Sequence, residues 1–138
     1  MKICFTIITF LILPLFVIAQ DSWKICLNKK TVLIGSESNE ELNTKKINQA
    51  DWNKKGNLEI IYKEKDTGFW NRSFQLDDEN GNQLLSKDNT TRVKIPLAAL
   101  RKLFAGKKEV KIYMVANPKN PMMAIRSQRV HLCTLKLH

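Results

Sequence analysis

The middle of the chain, residues 58–85, reads LEIIYKEKDTGFWNRSFQLDDENGNQLL. Apolar and polar residues alternate in residues 58–63 and again in residues 69–76, and this period of two is typical of half-buried strands. Asn80-Gly81 follows the second run, and Asn-Gly is the strongest short-range signal of a hairpin because both residues tolerate positive φ. The stretch therefore predicts a β-meander against which both ends of the chain pack.

Outside this stretch, the same alternation predicts further short strands, which lie in residues 23–27, 31–34, 92–95, 110–115 and 124–137. One short helix is predicted over residues 97–105, because Leu97, Leu100 and Phe104 share a helical face and Gly106 suits its C-terminal cap. Residues 36–49 are polar and predict a long surface loop. Seven or eight short strands without a βαβ pattern predict a mainly antiparallel β-sandwich or open barrel.

The strand count and spacing resemble those of immunoglobulin-like and carbohydrate-binding sandwiches, so the resemblance implies an immunoglobulin-like outline for the fold. The antibody-type tryptophan that packs on the cysteine pair has no clear counterpart in this sequence. No resemblance to a family rests on a motif.

The first 19 residues have the pattern of a secretory signal peptide. A basic leader, Met1-Lys2, precedes an apolar run that ends at Ala19, the small residue that a signal peptidase requires. Cleavage there is expected to leave residues 20–138 as a single β-sandwich domain, exported to a periplasm or secreted. An uncleaved N-terminal anchor is the alternative, although the apolar run is short for a membrane span.

Two cysteines, Cys26 and Cys133, lie near opposite ends of the expected mature chain. In an oxidising export compartment such a pair most often forms one disulfide, which here would join the first and last strands. The alternative is a pair of buried thiols that pack as small hydrophobic side chains. The compartment favours the disulfide.

No motif of an enzyme is present in the sequence. It has two histidines, no Gly-x-Ser-x-Gly and no glycine-rich phosphate loop, so we predict no catalytic residue, no cofactor and no metal. The alternative is a copper-type metal-binding or redox protein, because His131 with Cys133 and several methionines offers the soft ligands that copper prefers. Here the methionines precede the cysteine, unlike the ligand order of small blue-copper proteins.

Basic residues outnumber acidic ones by 23 to 13, giving a formal net charge of +10. The excess favours acidic partners: an acidic protein, an anionic glycan or a membrane headgroup surface. Nucleic acid is not predicted, because the aromatic residues are not interleaved with the basic ones as base stacking requires. The alternative is an ordinary solvated surface. The residues that carry much of this charge are Lys29-Lys30, Lys45-Lys46, Lys54-Lys55, Lys107-Lys108, Lys111, Arg126 and Arg129.

Arg72 shares a predicted strand face with Trp70 and Phe74. An arginine among apolar neighbours must be paired or lie at the rim of the core, so it either tethers a loop or contacts a ligand. The candidate binding residues are Trp70, Arg72, Arg126 and Arg129. Together these features predict a small exported, non-enzymatic β-sandwich that binds an envelope component, a glycan or another exported protein.

Overall fold

The computed structural model describes residues 20–65, 68–122 and 125–137. The predicted signal peptide, residues 1–19, lies outside the described residues. Within the described ranges, no helix is long and apolar enough to cross a membrane.

Two β-sheets form the fold, and their strands follow the alternation of the sequence. In chain order the elements are β1 (Ser22–Leu27), β2 (Lys30–Gly35), β3 (Thr44–Lys46), α1 (Gln49–Trp52), β4 (Asn57–Lys63), β5 (Trp70–Asp77), β6 (Gln83–Lys87), β7 (Arg92–Pro96), α2 (Leu97–Leu103), β8 (Glu109–Pro118) and β9 (Gln128–Lys136). Sheet A has the strand order β2-β1-β4-β7, and sheet B has the order β3-β9-β8-β5-β6.

The predicted β-sandwich is confirmed, with three differences in detail. The described residues form nine strands rather than seven or eight, because the predicted loop 36–49 contains β3. The strands pair antiparallel except for β3, which runs parallel to β9. A second short helix, α1, precedes β4, and α2 ends at Leu103.

The core lies between the two sheets and is filled by the inward residues of the alternating strands. Ile25, Leu58 and Ile60 of sheet A and Phe74 and Ile112 of sheet B are completely buried there. A buried hydrogen bond joins the sheets, because Trp23 Nε1 donates to the carbonyl oxygen of Leu132 at 2.9 Å.

Gly35 lies opposite Trp23 in the β1–β2 ladder and leaves room for its indole. A Cβ at position 35 would lie 2.5 Å from Trp23 Nε1, which is fixed by its bond to Leu132 and by the stacking of Trp23 on Tyr62. Gly35→Ala is therefore expected to lower the free energy of unfolding by about 1–3 kcal/mol, the usual cost of overpacking. Denaturant unfolding measures this, with Ser36→Ala as an exposed control that should change little. Wild-type stability for Gly35→Ala would contradict this packing.

The predicted hairpin between β5 and β6 is confirmed, but its turn differs from the expected one. Its loop spans residues 78–82, and only Gly81 has a positive φ, 83°. The Asp78 carboxylate closes the loop by accepting N–H bonds from Asn80 and Asn82, and the Lys107 ammonium holds the pKa of Asp78 well below its usual range. These contacts give Asp78 a structural role in the turn.

The predicted disulfide is wrong, because Cys26 and Cys133 are free, buried thiols. Cys133 packs in the core between the sheets, where burial raises the pKa of its thiol to about 12. Cys26 pairs in register with Glu59 and alternates with the inward Ile25, so its side chain lies on the outer face of sheet A. The two sulfurs therefore face different layers of the molecule.

Burial of both thiols predicts that iodoacetamide will modify neither Cys26 nor Cys133 in the native protein and both after unfolding, since the exposed thiolate is the reactive form. Peptide mass mapping before and after denaturation measures this. A Ser36→Cys variant supplies an exposed thiol that should react in the native protein. A peptide pair linked through Cys26 and Cys133, or native labelling of Cys133, would contradict the structure.

Candidate functional site

Four lysines, drawn from three lysine pairs that are far apart in sequence, converge at one open edge of the sandwich. One edge strand of each sheet, β2 of sheet A and β3 of sheet B, borders a cavity of about 550 Å³ there, and α1 closes one side. We call it the lysine cleft, defined by Lys30, Lys45, Lys46 and Lys54, which all line it.

Lys30 reaches the cleft through a two-residue turn between β1 and β2. Asn28 and Lys29 both have positive φ, 53° and 67°, as required by the tight turns that match the twist of a hairpin. The N–H of Asn28 donates to the carbonyl oxygen of Asn57 at 3.0 Å and fixes the turn against β4. Lys30 is consequently the first residue of β2, at the mouth of the cleft.

Lys45 and Lys46 reach the cleft because β3 adds to the edge of sheet B beside β9. The strand is only three residues long, but the next residue, Ile47, is buried and donates its N–H to Lys136 at 2.8 Å. This anchor keeps the two lysines at the sheet edge.

Lys54 follows α1, which is fixed at both ends. Asn48 caps the helix by accepting the Asp51 N–H at 2.7 Å, and Trp52 is buried in the core. Arg101 of α2 donates through Nη1 to the carbonyl oxygens of Trp52 and Lys54, at 2.8 and 3.1 Å. The second helix therefore positions the end of the first.

The electrostatics of the lysine cleft are strongly positive. Asp51 is the one acidic residue of the described ranges that lines it. Asp51 lies 3.1 Å from Lys54 Nζ, and this bond, with a smaller contribution from Lys30, lowers the pKa of Asp51. Four lysines and one aspartate give the lining a formal charge of +3. Within the described ranges, Lys30, Lys45 and Lys46 have no carboxylate at ion-pair distance.

The rest of the lining suits a ligand that is not a single ion. Leu27, Val32 and Ile47 add apolar side chains to the cleft wall. An adjoining cavity of about 180 Å³ shares Asn28 with the cleft. Its further basic lining residues are Lys29, Lys55 and Lys94.

Trp70 and Arg72, two of the sequence-predicted binding residues, line a different cavity of about 420 Å³. The Arg72 side chain is 6% exposed, and its Nε lies 2.7 Å from Glu64 Oε1 and its Nη2 3.4 Å from Asp21 Oδ2. Its guanidinium also lies 4.9 Å from the centre of the Tyr62 ring. Arg72 thus ties the residue before β1 and the residue after β4 to β5, as expected of a tether.

The other two predicted binding residues lie apart from both cavities. Arg129 covers the Tyr113 ring at 3.7 Å and is bonded to the Asp77 carboxylate, on the outer face of sheet B. Arg126 is exposed in the segment before β9. The four predicted residues therefore do not form one site.

The ligands of the copper alternative also face different layers. His131 Nε2 lies 2.7 Å from Thr134 Oγ1 beside Tyr113, and burial lowers the pKa of His131, whereas Cys133 belongs to the core. Among the described residues, no group of three or more His, Cys, Asp or Glu side chains is arranged to hold a metal ion.

The sequence shows the lysine pairs but not that they meet, because no local pattern predicts that β2 and β3 become neighbouring edges. One signal was present: each pair borders a turn or a very short element, where the side chains project beyond the sheet. Comparisons with protein families, curated proteins and solved structures find no match to this chain.

Proposed function

We propose that this protein is an exported, non-enzymatic binding protein that holds an anionic polysaccharide in the lysine cleft. Export rests on the signal-peptide pattern of residues 1–19. The observation that carries the proposal is a set of lysines, Lys30, Lys45 and Lys46, that have no ion-pair partner among the described residues and are gathered in one concave site. Unpaired ammonium groups in a cleft concentrate the positive field and attract anions.

The shape of the cleft favours a chain of sugars over a flat or compact partner. A membrane surface meets groups that protrude, whereas these lysines, although exposed, line a cavity of about 550 Å³ that continues into a second basic cavity. Lysine ammonium groups are compact point charges on flexible stems, which suits carboxylates or sulfates at irregular spacing. The apolar side chains of Leu27, Val32 and Ile47 suit the C–H faces of sugar rings.

Titration with two polymers of the same backbone tests the proposal. Polygalacturonate carries a carboxylate on each sugar, and its methyl ester carries none. The protein is expected to bind polygalacturonate, with an affinity that falls steeply as salt rises, because binding releases condensed counterions. The ester is expected to bind far more weakly. Equal binding of both polymers, or binding only to anionic phospholipid vesicles, would contradict the proposal.

A further inference from the structure

A second cavity with different chemistry lies at the far end of the sandwich. We call it the Trp70 cleft, and its lining residues are Glu64, Trp70, Asn71, Arg72, Asn89, Thr90, Thr91 and Lys119. We propose that the Trp70 cleft binds an uncharged pyranose sugar, as a site independent of the lysine cleft.

The two clefts are separated by the length of β4. Asn57, at the start of β4, lines the small cavity next to the lysine cleft, and Glu64, just after the end of β4, lines the Trp70 cleft. Seven strand residues span roughly 20 Å. One monosaccharide therefore cannot contact both clefts.

The charges around Arg72 disfavour an anionic ligand in the Trp70 cleft. Glu64 and Asp21 both lie at ion-pair distance from the guanidinium, so its positive charge is already balanced. Its Nε is buried and lies 2.7 Å from Glu64 Oε1, so a ligand in the cleft meets the neighbouring polar side chains rather than this atom. Asn71, Asn89 and Thr91 of the lining have uncharged polar side chains, and these suit the hydroxyl groups of a sugar without adding charge.

Trp70 supplies the apolar surface of the cleft. It is partly exposed and lies two residues from Arg72 on the same face of β5, about 7 Å away along the strand. A pyranose ring has an apolar C–H face and a rim of hydroxyl groups. The indole can pack against that face while the polar side chains bond the rim, which is the mixture of apolar and precisely placed polar groups that small-ligand sites use.

The opposite wall is held in place by both sheets. Thr90 donates its N–H to the carbonyl oxygen of Arg72 at 3.0 Å, and the carbonyl oxygen of Thr91 accepts the Tyr62 N–H at 2.7 Å. Asn89 adopts a positive φ of 51° before this segment. Since these bonds fix the wall before any ligand arrives, little ordering cost opposes binding.

Iodide quenching of tryptophan fluorescence tests this site, with cellohexaose, maltohexaose and the hexamer of N-acetylglucosamine as probes. Trp23 and Trp52 are buried, so Trp70 is the indole that iodide can reach. At least one of the three probes is expected to protect Trp70 from iodide in a saturable titration. Protection by none of them would overturn the proposal.

Variants assign the binding to the cleft, and each is titrated with the protecting probe by isothermal calorimetry. Trp70→Ala is expected to abolish binding, and Asn89→Gly, which suits the positive φ while removing the amide, is expected to weaken it about tenfold. Phe69→Ala, an exposed aromatic outside the cleft, is the matched control and should bind as wild type does. Wild-type affinity in both cleft variants, or equal loss in Phe69→Ala, would overturn the proposal. A variant of the lysine cleft should bind the same probe with wild-type affinity. The proposal for the Trp70 cleft can therefore be contradicted without contradicting the proposal for the lysine cleft, and the reverse also holds.

Discussion

Changing Lys30, Lys45 and Lys46 together to glutamate is expected to weaken polygalacturonate binding at least about a thousandfold at about 0.1 M salt. Each lysine near an anionic surface contributes about 1 kcal/mol, and each introduced carboxylate adds a repulsion of similar size. The total of about 4–6 kcal/mol corresponds to a thousandfold or more. Isothermal calorimetry or fluorescence anisotropy measures the affinity.

A control with the same change in net charge separates the cleft from general electrostatic attraction. Lys63, Lys65 and Lys87 are also exposed and do not line the cleft. Lys63 and Lys65 lie at and after the end of β4, and Lys87 lies on β6, at the other edge of sheet B from β3. Their replacement by glutamate is expected to lower affinity less than about tenfold, because charges beyond about 10 Å are largely screened. Equal losses in the two triple variants would mean that the lysine cleft is not the binding site.

Arg72→Met is expected to lower the free energy of unfolding by about 2–3 kcal/mol. Removing one partner of a buried ion pair costs roughly 3–5 kcal/mol, because the other charge is left uncompensated. The expected cost is smaller here, since the side chain of Glu64 is 14% exposed and that of Asp21 is 31% exposed. The substitution also removes the contact between the guanidinium and the Tyr62 ring. Thermal and denaturant unfolding measure the change.

Arg92→Met is the matched control for this prediction. Arg92 also pairs with a glutamate, Glu59, at 2.6 Å, but the Arg92 side chain is 70% exposed. Exposed ion pairs contribute about 0–1 kcal/mol, so this variant should unfold almost as wild type does. If both variants lose the same free energy of unfolding, the burial of Arg72 does not make its ion pairs more stabilising than an exposed one.

The strands could be predicted from the sequence, whereas the turn types could not. The alternation around Phe74 and Leu76 places β5 and its inward face correctly. Asn80-Gly81, however, lies in a five-residue loop in which the Asp78 carboxylate satisfies the backbone N–H groups. The turn with two positive φ values falls instead at Asn28 and Lys29, where bonding to Asn57 compensates for the unfavourable conformation of a lysine.

The error about the disulfide also has a local explanation. The alternation of β1 already separates Cys26 from the inward residues Trp23 and Ile25, so a bond to a core cysteine conflicts with the strand pattern. The prediction of a disulfide rests instead on the expected export compartment and on the presence of two cysteines. The direction of the Cys133 side chain cannot be predicted from alternation alone. The pairing of β8 with β9 has a bulge between Ile112 and Tyr113, and this bulge changes which residues face inward.

The lysine cleft depends on contacts between distant segments that no local sequence pattern indicates. Nothing local indicates that β3 pairs with β9 in parallel, or that Arg101 holds the end of α1. The Trp70 cleft was closer to prediction, because Trp70 and Arg72 share a strand face. Its opposite wall, around Thr90, comes from the connection between β6 and β7.

The most direct test of the account is to map the polysaccharide contact on the isotope-labelled protein by amide chemical-shift perturbation during titration with polygalacturonate. The lysine cleft predicts that the largest shifts fall in residues 28–32 and 45–54, with little change around Arg129 on the outer face of sheet B. Saturable shifts centred on Arg126 and Arg129, or no shifts at the cleft while the polymer binds, would contradict it.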